Sequence, residues 1–264
     1  MKAAYVGIDL LYPALPALEN AGCEIMKVFS CRTDNVTEFN TQVCAFAESR
    51  GIPLQLDKAR LADIEALRDA GCELLLCGGY YYKLPVLEGF KMVNIHPSLL
   101  PMGRGAWPMP VTILRGLHES GVTFHRITAG LDEGNILFQQ SVRVAPDENL
   151  QTLTRKQQAL LPGMVAHLLN ELSSLWDHAV PQDAARAEYW PCPTESDWTV
   201  REDMTPEEAD RVLRAFYGYE VICQRGDERW ELIEARMTDA PVEGFFCLPF
   251  GGRLICAKHA RRIA

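Results

Sequence analysis

Asn94 and His96 stand two positions apart in the run MVNIH, and Asp132 stands further along in a Gly-Leu-Asp-Glu-Gly turn. Residues two apart on a strand share a face, so the amide and the imidazole point one way while Val93 and Ile95 are buried the other way. Alone, such a pair is more often hydrogen-bonded structure than catalysis. Its surroundings favour chemistry. Pro97 and Pro101 force a rigid turn past the strand, Gly103 and Gly105 let backbone approach a ligand, and a second strand precedes the aspartate. An amide, an imidazole and a carboxylate converging at one sheet edge suit acyl transfer to an amine. The first two can donate hydrogen bonds to a developing oxyanion, while the carboxylate orients the imidazole and relays the amine's proton.

The elements that must position these groups are legible in outline. Apolar runs at residues 2–8 and 24–31 flank a helix at 14–21 that stops at Gly22, which predicts a β-α-β opening. The turn after the first strand reads GIDLLYPAL and lacks the G-x-G-x-x-G fingerprint, which disfavours a dinucleotide site there. Thr37 is a candidate cap for a helix ending at Arg50, a second helix is expected over 61–70, and CELLLC (72–77) reads as a strand buried on both faces. The alternation predicts an α/β, Rossmann-like, mostly parallel sheet with helices on both faces, whose ligands lie beyond the carboxyl ends of the strands. The segments after Cys77, Ile95 and Thr128 are therefore expected to line one cleft, with an aromatic loop, Tyr80-Tyr81-Tyr82-Lys83, beside it.

Residues 149–176 have a helical pattern broken by Pro162, which predicts a kinked or split helix. Periodicity fades from 178 to 200, where three prolines gather and a linker is expected. Thr205-Pro206-Glu207-Glu208 then starts a helix running to about Phe216. Four strand candidates follow at 219–225, 229–237, 244–249 and 253–259, expected to form a small β-barrel-like subdomain or sheet. The predicted division is a catalytic domain over 1–177, a linker over 178–204 and a C-terminal β subdomain over 205–264.

Composition narrows the function classes. With 264 residues, 48% hydrophobic and 23% charged, the chain has ample core material and is not a disordered protein. Its net charge of −9, without a basic stripe, counts against nucleic acid as a partner and so against a tRNA substrate, though it does not exclude one. The nine cysteines form no C-x-x-C pair, so reduced thiols acting as small apolar side chains are expected, and no metal site. The first residues carry prolines and acids where a signal peptide needs an apolar core, and no run reaches the roughly 20 apolar residues of a membrane span. The expectation is a cytoplasmic protein without a membrane partner.

NIHPSLLP, followed by RGAWP, GVTFH and GLDEGNI, resembles the folate-dependent formyltransferases in order and spacing, most strongly over residues 72–145. The resemblance implies a Rossmann-like domain, often with a small β domain, and 10-formyltetrahydrofolate as co-substrate with no metal. It implies that Asn94 and protonated His96 stabilise the oxyanion and that Asp132 holds His96. Loss of any one then costs on the order of 100-fold in turnover. It also places the pteridine against Tyr82, Lys83 and Leu84 and against Ala129, Gly130 and Leu131, largely through backbone.

The aromatic loop, the GVTFHR run and the appended domain resemble the sugar-nucleotide amine formyltransferases most, so the expected acceptor is the amine of a nucleotide-linked aminosugar. Tyr80, Arg104, Trp107, His125 and Arg126 are then the candidate acceptor contacts, although apart from the resemblance His125 reads first as a hydrogen-bonded structural histidine and the arginines as surface charges. Tyr189 and Trp190 either stack on a ligand or pack, and packing is preferred for Trp190. The RGAWP block and the RAF run at 214–216 resemble methionyl-tRNA formyltransferases, which stand as the alternative, together with another amine such as hydroxyornithine. A folate-binding regulator is the non-enzymatic alternative, and a homodimer is a further expectation from relatives.

Overall fold

The computed structural model describes residues 1–35 and 38–263; Thr37, the expected cap of the second helix, lies outside them. The chain forms two compact units. The first comprises Met1–Arg104, Gly121–Ser141 and Lys156–Tyr189, the second Gly105–Ser120, Val142–Arg155 and Trp190–Ala264.

The larger sheet contains β1 (Lys2–Gly7), β2 (Glu24–Phe29), β3 (Leu54–Gln55), β4 (Leu74–Gly78), β5 (Lys91–His96), β6 (Glu119–Arg126) and β7 (Ile136–Arg143), in the order β3-β2-β1-β4-β5-β6-β7. The pairs from β3 through β5 are parallel, as the alternation of strands and helices requires. The helices are α1 (Ala14–Asn20), α2 (Thr41–Ser49), α3 (Leu61–Asp69), α4 (Pro108–Leu114), α5 (Leu150–Asn170), α6 (Leu172–Asp177) and α7 (Pro206–Ala215). Strand β4 shows why the sheet is covered on both faces. Leu74 and Leu76 enter one apolar cluster with α1, α2 and α5, while Leu75 and Cys77 enter another with Ile64 and Leu67 of α3.

Three local outcomes differ from the sequence reading. Strand β6 runs antiparallel to β5, pairing Asn94 with His125 and His96 with Thr123. Its carboxyl end therefore does not lie with those of the parallel strands. Pro162 does not split α5, and the break comes at Glu171. Leu161, Met164, Val165 and Leu168 are all buried around the proline, and burial of that stripe offsets one missing backbone hydrogen bond. Helix α2 has no capping side chain at Asn40; Asp9, just past β1, accepts instead from the backbone N–H of Gln42 and Val43 at 3.0 Å.

In the second unit Thr205 caps α7 as its sequence implies: its hydroxyl accepts from the Glu208 N–H at 3.2 Å, and its own N–H donates to the Glu208 carboxylate at 2.8 Å. The smaller sheet has the order β11-β12-β10-β9-β8, comprising β8 (Thr199–Arg201), β9 (Val221–Arg225), β10 (Glu228–Thr238), β11 (Phe246–Phe250) and β12 (Arg253–Arg262). Strand β8, parallel to β9, lies in the stretch read as linker. Among the described residues no pairing joins β8 to β11, so the C-terminal subdomain is seen as a five-stranded sheet without barrel closure. The expectation of reduced thiols throughout is also corrected. Cys247 and Cys256 face each other across β11 and β12 and form a disulfide, while the other cysteines are free. Among the described residues no helix is long and apolar enough to cross a membrane.

Candidate active site

Strand β5 carries Val93 and Ile95 into the apolar cluster on one face of the sheet and turns Asn94 and His96 to the other. The antiparallel neighbour β6 sets His125 directly beside Asn94. Four polar groups meet there. Asn94 Nδ2 lies 3.0 Å from His125 Nε2 and 3.5 Å from Asp132 Oδ1, while His96 Nδ1 and His125 Nε2 lie 3.7 and 3.6 Å from that same carboxylate oxygen. The triad residues inferred from the sequence are thus together, and His125 makes a fourth.

Hydrogen bonding fixes the proton positions. His125 Nδ1 is 2.9 Å from the Arg126 carbonyl, so Nδ1 carries the hydrogen and Nε2 accepts from the Asn94 amide. His96 Nε2 is 2.7 Å from the Gly103 carbonyl, so Nε2 carries a hydrogen and Nδ1 faces Asp132. Burial pushes the His96 pKa below its ordinary value; the Asp132 charge opposes this, His125 adds to it, and the Gly103 carbonyl opposes it. The direction of that shift favours the neutral imidazole, with Nδ1 facing Asp132.

Because β6 runs antiparallel, Asp132 reaches the site by a turn that folds back on the sheet. The Arg126 N–H donates to the Asn135 carbonyl at 3.0 Å across the base of this turn. A side chain at Gly134 would put a Cβ 1.8 Å from the Arg126 carbonyl oxygen, so glycine is required for closure. Asp132 itself has φ +54°, in the left-handed region.

Cys77, absent from the sequence-derived set, is the β4 neighbour of Asn94. Burial, and after it the Asp132 charge, push its thiol up to about 12, so it stays a protonated wall beside the amide. Gln182 and Glu188 were also missed, since no motif marks them; both lie in the stretch read as linker.

The remaining candidates divide. Leu84 is buried in the second apolar cluster, whereas Tyr82, Lys83, Ala129 and Leu131 are exposed and Gly130 is half-buried between them. Tyr80 accepts from the Ala59 N–H at 3.0 Å, and Tyr81 donates to the Glu38 carboxylate. Arg104 donates to Gln182 Oε1 at 2.8 and 3.0 Å, and Arg126 lies over the Trp176 ring and donates to its carbonyl. Trp107, in the second unit, packs edge-on against Phe216 and Tyr219, and Trp190 is buried beneath Arg115. Tyr189 is 60% exposed and pairs in a short bridge with Arg104. Among the described residues no group of three or more His, Cys, Asp or Glu side chains is arranged to hold a metal ion.

A Rossmann-like α/β sheet with an amide, an imidazole and a carboxylate gathered at the end of β5, followed by a small β subdomain, defines the class as an α/β group-transfer enzyme. The sequence model of the formyl transferase family matches residues 36–165. Methionyl-tRNA formyltransferase of Phenylobacterium zucineum is 31% identical over 260 residues, covering 91% of this chain and 83% of that protein. The methionyl-tRNA formyltransferase of Paramagnetospirillum magneticum is 30% identical over 278 residues, covering 99% and 90%. This chain belongs to the folate-dependent formyltransferase family and is a formyl-transferring enzyme. An N-formyltransferase from Helicobacter canadensis, solved in complex with folinic acid and dTDP-3-aminofucose, superimposes with a TM-score of 0.70 at 18% identity, covering 97% of this chain and 98% of that one.

These comparisons overturn the aminosugar-nucleotide acceptor. The relatives similar in sequence over nearly the whole chain are methionyl-tRNA formyltransferases, whereas the likeness to the Helicobacter protein, at 18% identity, is one of fold. The structure supplies a physical reason: Arg104 and Arg126, the cations among the candidate acceptor contacts, are engaged by Gln182 and Trp176.

Proposed function

We propose that this enzyme transfers the formyl group of 10-formyltetrahydrofolate to the α-amino group of methionyl-tRNA. The observation that carries the acceptor is the 30–31% identity to methionyl-tRNA formyltransferases along nearly the full length of the chain. The donor, when bound, supplies an electrophilic formyl carbon on N10. The exposed backbone of residues 129–131 and the loop of Tyr82, Lys83 and Leu84 are the surfaces proposed to receive its ring, with Leu84 contributing backbone only because its side chain is buried.

The chemistry assigned to the chain's own groups follows from their protonation states. A neutral His96 Nδ1 takes the proton that the attacking amine loses as the new C–N bond forms. Asp132 stabilises the resulting imidazolium, and the same proton is returned at the departing N10 as the old C–N bond breaks. One Asn94 N–H is held by His125. The other, 3.5 Å from Asp132, is the weakly engaged donor that can turn to the formyl oxygen as negative charge develops there. Neighbouring dipoles fixed in a buried site act without reorganising, which is where such donors contribute most.

The test is to mix the enzyme with 10-formyltetrahydrofolate and, separately, charged methionyl-tRNA, uncharged tRNA, hydroxyornithine and a panel of aminosugar nucleotides. Tetrahydrofolate release and the mass of the acceptor are then followed. Formylation of charged methionyl-tRNA alone is the expected result. Turnover with a small amine but not with charged tRNA overturns the reading.

A further inference from the structure

We infer that Gln182 is a positioning residue for formyl transfer: its amide clamps the Asp132 turn to the loop that holds His96, and so sets the separation of the proton-transfer pair. The inference rests on the catalytic assignment proposed above for Asn94, His96 and Asp132.

Gln182 Nε2 donates to the Asp132 carbonyl at 2.7 Å and to the Gly134 carbonyl at 2.9 Å, which uses both amide hydrogens on one turn. Its Oε1 accepts two hydrogen bonds from the Arg104 guanidinium, at 3.0 Å from Nε and 2.8 Å from Nη2. Arg104 also approaches Glu133 of that turn at 3.8 Å. One half-buried side chain therefore joins the two loops that meet at the site.

The second loop is joined through its backbone. The peptide between Gly103 and Arg104 presents its carbonyl to His96 Nε2 at 2.7 Å and its N–H to the Glu188 carbonyl at 3.0 Å. The Glu188 N–H in turn donates to the Pro101 carbonyl at 3.1 Å. The orientation of the carbonyl that fixes the His96 tautomer thus depends on the residue 178–189 stretch. Gln182, in the same stretch, fixes the carboxylate turn on the other side of the imidazole.

The clamp is placed where it is needed. Asp132 sits at φ +54°, a region that a non-glycine residue holds only when its surroundings over-determine it. His96 Nδ1 and Asp132 Oδ1 are 3.7 Å apart, just outside direct hydrogen-bond distance, so the position of the turn decides whether a hydrogen bond can close between them once Nδ1 takes a proton. Misplacement of a catalytic group by about 1 Å can lower turnover about 100-fold.

Two variants separate the two ends of the clamp. Gln182→Leu removes every hydrogen bond, and Gln182→Glu keeps the acceptor for Arg104 while losing both donors to the turn. Both are assayed with 10-formyltetrahydrofolate and methionyl-tRNA beside Asp132→Asn, with Tm, kcat and the pH dependence of kcat/KM recorded. Expected are a 10- to 100-fold fall in kcat, KM for the folate within about twofold of wild type, and an acid limb moved to lower pH. That movement is read in Gln182→Leu, because Asp132 is the charge that raises His96 against burial and the other titratable group facing it, His125, is not altered; in Gln182→Glu the added carboxylate opposes it. Wild-type kcat in Gln182→Glu, or a lowered Tm with kcat and acid limb intact, overturns the inference. A reduced kcat with an unmoved acid limb in Gln182→Leu does so too, since the residue then acts other than through Asp132. If Asp132→Asn is itself fully active, the catalytic assignment fails and the clamp fails with it, an outcome distinct from an inert Asp132→Asn beside active Gln182 variants.

Discussion

Asn94 and His125 meet side by side across the antiparallel β5–β6 pair, with the amide nitrogen 3.0 Å from the imidazole Nε2. The Nδ1–H of that imidazole is spent on the Arg126 carbonyl, so Nε2 can only accept. His125 therefore fixes which end of the carboxamide faces the site. Substitution by Ala leaves Asn94 free to rotate and removes a partner from a buried polar group. His125→Ala should lower kcat by about 10-fold or more, and Asn94→Ala by on the order of 100-fold. His125→Gln, whose oxygen can accept from Asn94, should recover part of the loss. Wild-type kcat in Asn94→Ala would remove Asn94 from the chemistry.

The pH dependence follows from burial of His96. Its folded pKa lies below the ordinary 6.5, so the neutral, proton-accepting form persists to lower pH than in a free histidine. The acid limb that His96 contributes to kcat/KM should have its midpoint below 6.5 and disappear in His96→Ala, whose residual activity lacks it. For stability the sign is set by the unfolded chain, which binds the proton first. The contribution of His96 is complete above 6.5 and is lost progressively as pH falls from 6.5 toward the folded value. Urea titrations across this window should show a shallower fall for His96→Gln than for wild type.

Asp9 supports the fold at a distance from the reaction. Its carboxylate accepts from the Thr41 hydroxyl at 3.1 Å and from the N–H groups of Gln42 and Val43, closing the start of α2 from the end of β1. Asp9→Ala would leave those donors unpartnered in a site that is 8% exposed. The expected loss is about 1–3 kcal/mol, read as a drop in the urea midpoint. A change under roughly 0.5 kcal/mol would show that water replaces the cap.

Much of this was legible in the sequence, for reasons tied to particular residues. The alternation in MVNIH places Asn94 and His96 on one face whatever the strand's neighbours are, and the unbroken apolar run Leu74 to Cys77 within CELLLC reads as a strand covered on both sides. The Thr205-Pro206-Glu207-Glu208 start contains its own capping partners, so α7 begins where the sequence places it. What could not be read depends on distant residues. The direction of β6 is decided by its pairing with β5, and α2 is capped by a residue 33 positions away. Gln182 acts through an amide in an aperiodic, proline-rich stretch, where neither periodicity nor charge marks it. The acceptor was misread because aromatic and basic residues were credited to a ligand, while Arg104 and Arg126 are engaged by the protein itself.

The Cys247–Cys256 bridge gives a prediction confined to the second unit. The two residues are register partners on β11 and β12, nine positions apart in sequence, and the strands are already joined by their hydrogen-bond ladder. Closing so short a loop restricts the unfolded chain by about 2–3 kcal/mol in the chain-entropy account. The bridge therefore adds to a hairpin that forms without it. Cys247→Ser with Cys256→Ser should still fold and should lose about 2 kcal/mol in the transition that unfolds this unit. A reducing agent should lower wild type to the level of the double variant and leave the variant unmoved. If wild type and variant unfold together under oxidising conditions, the bridge contributes no stability and the two thiols serve only as packing on the smaller sheet.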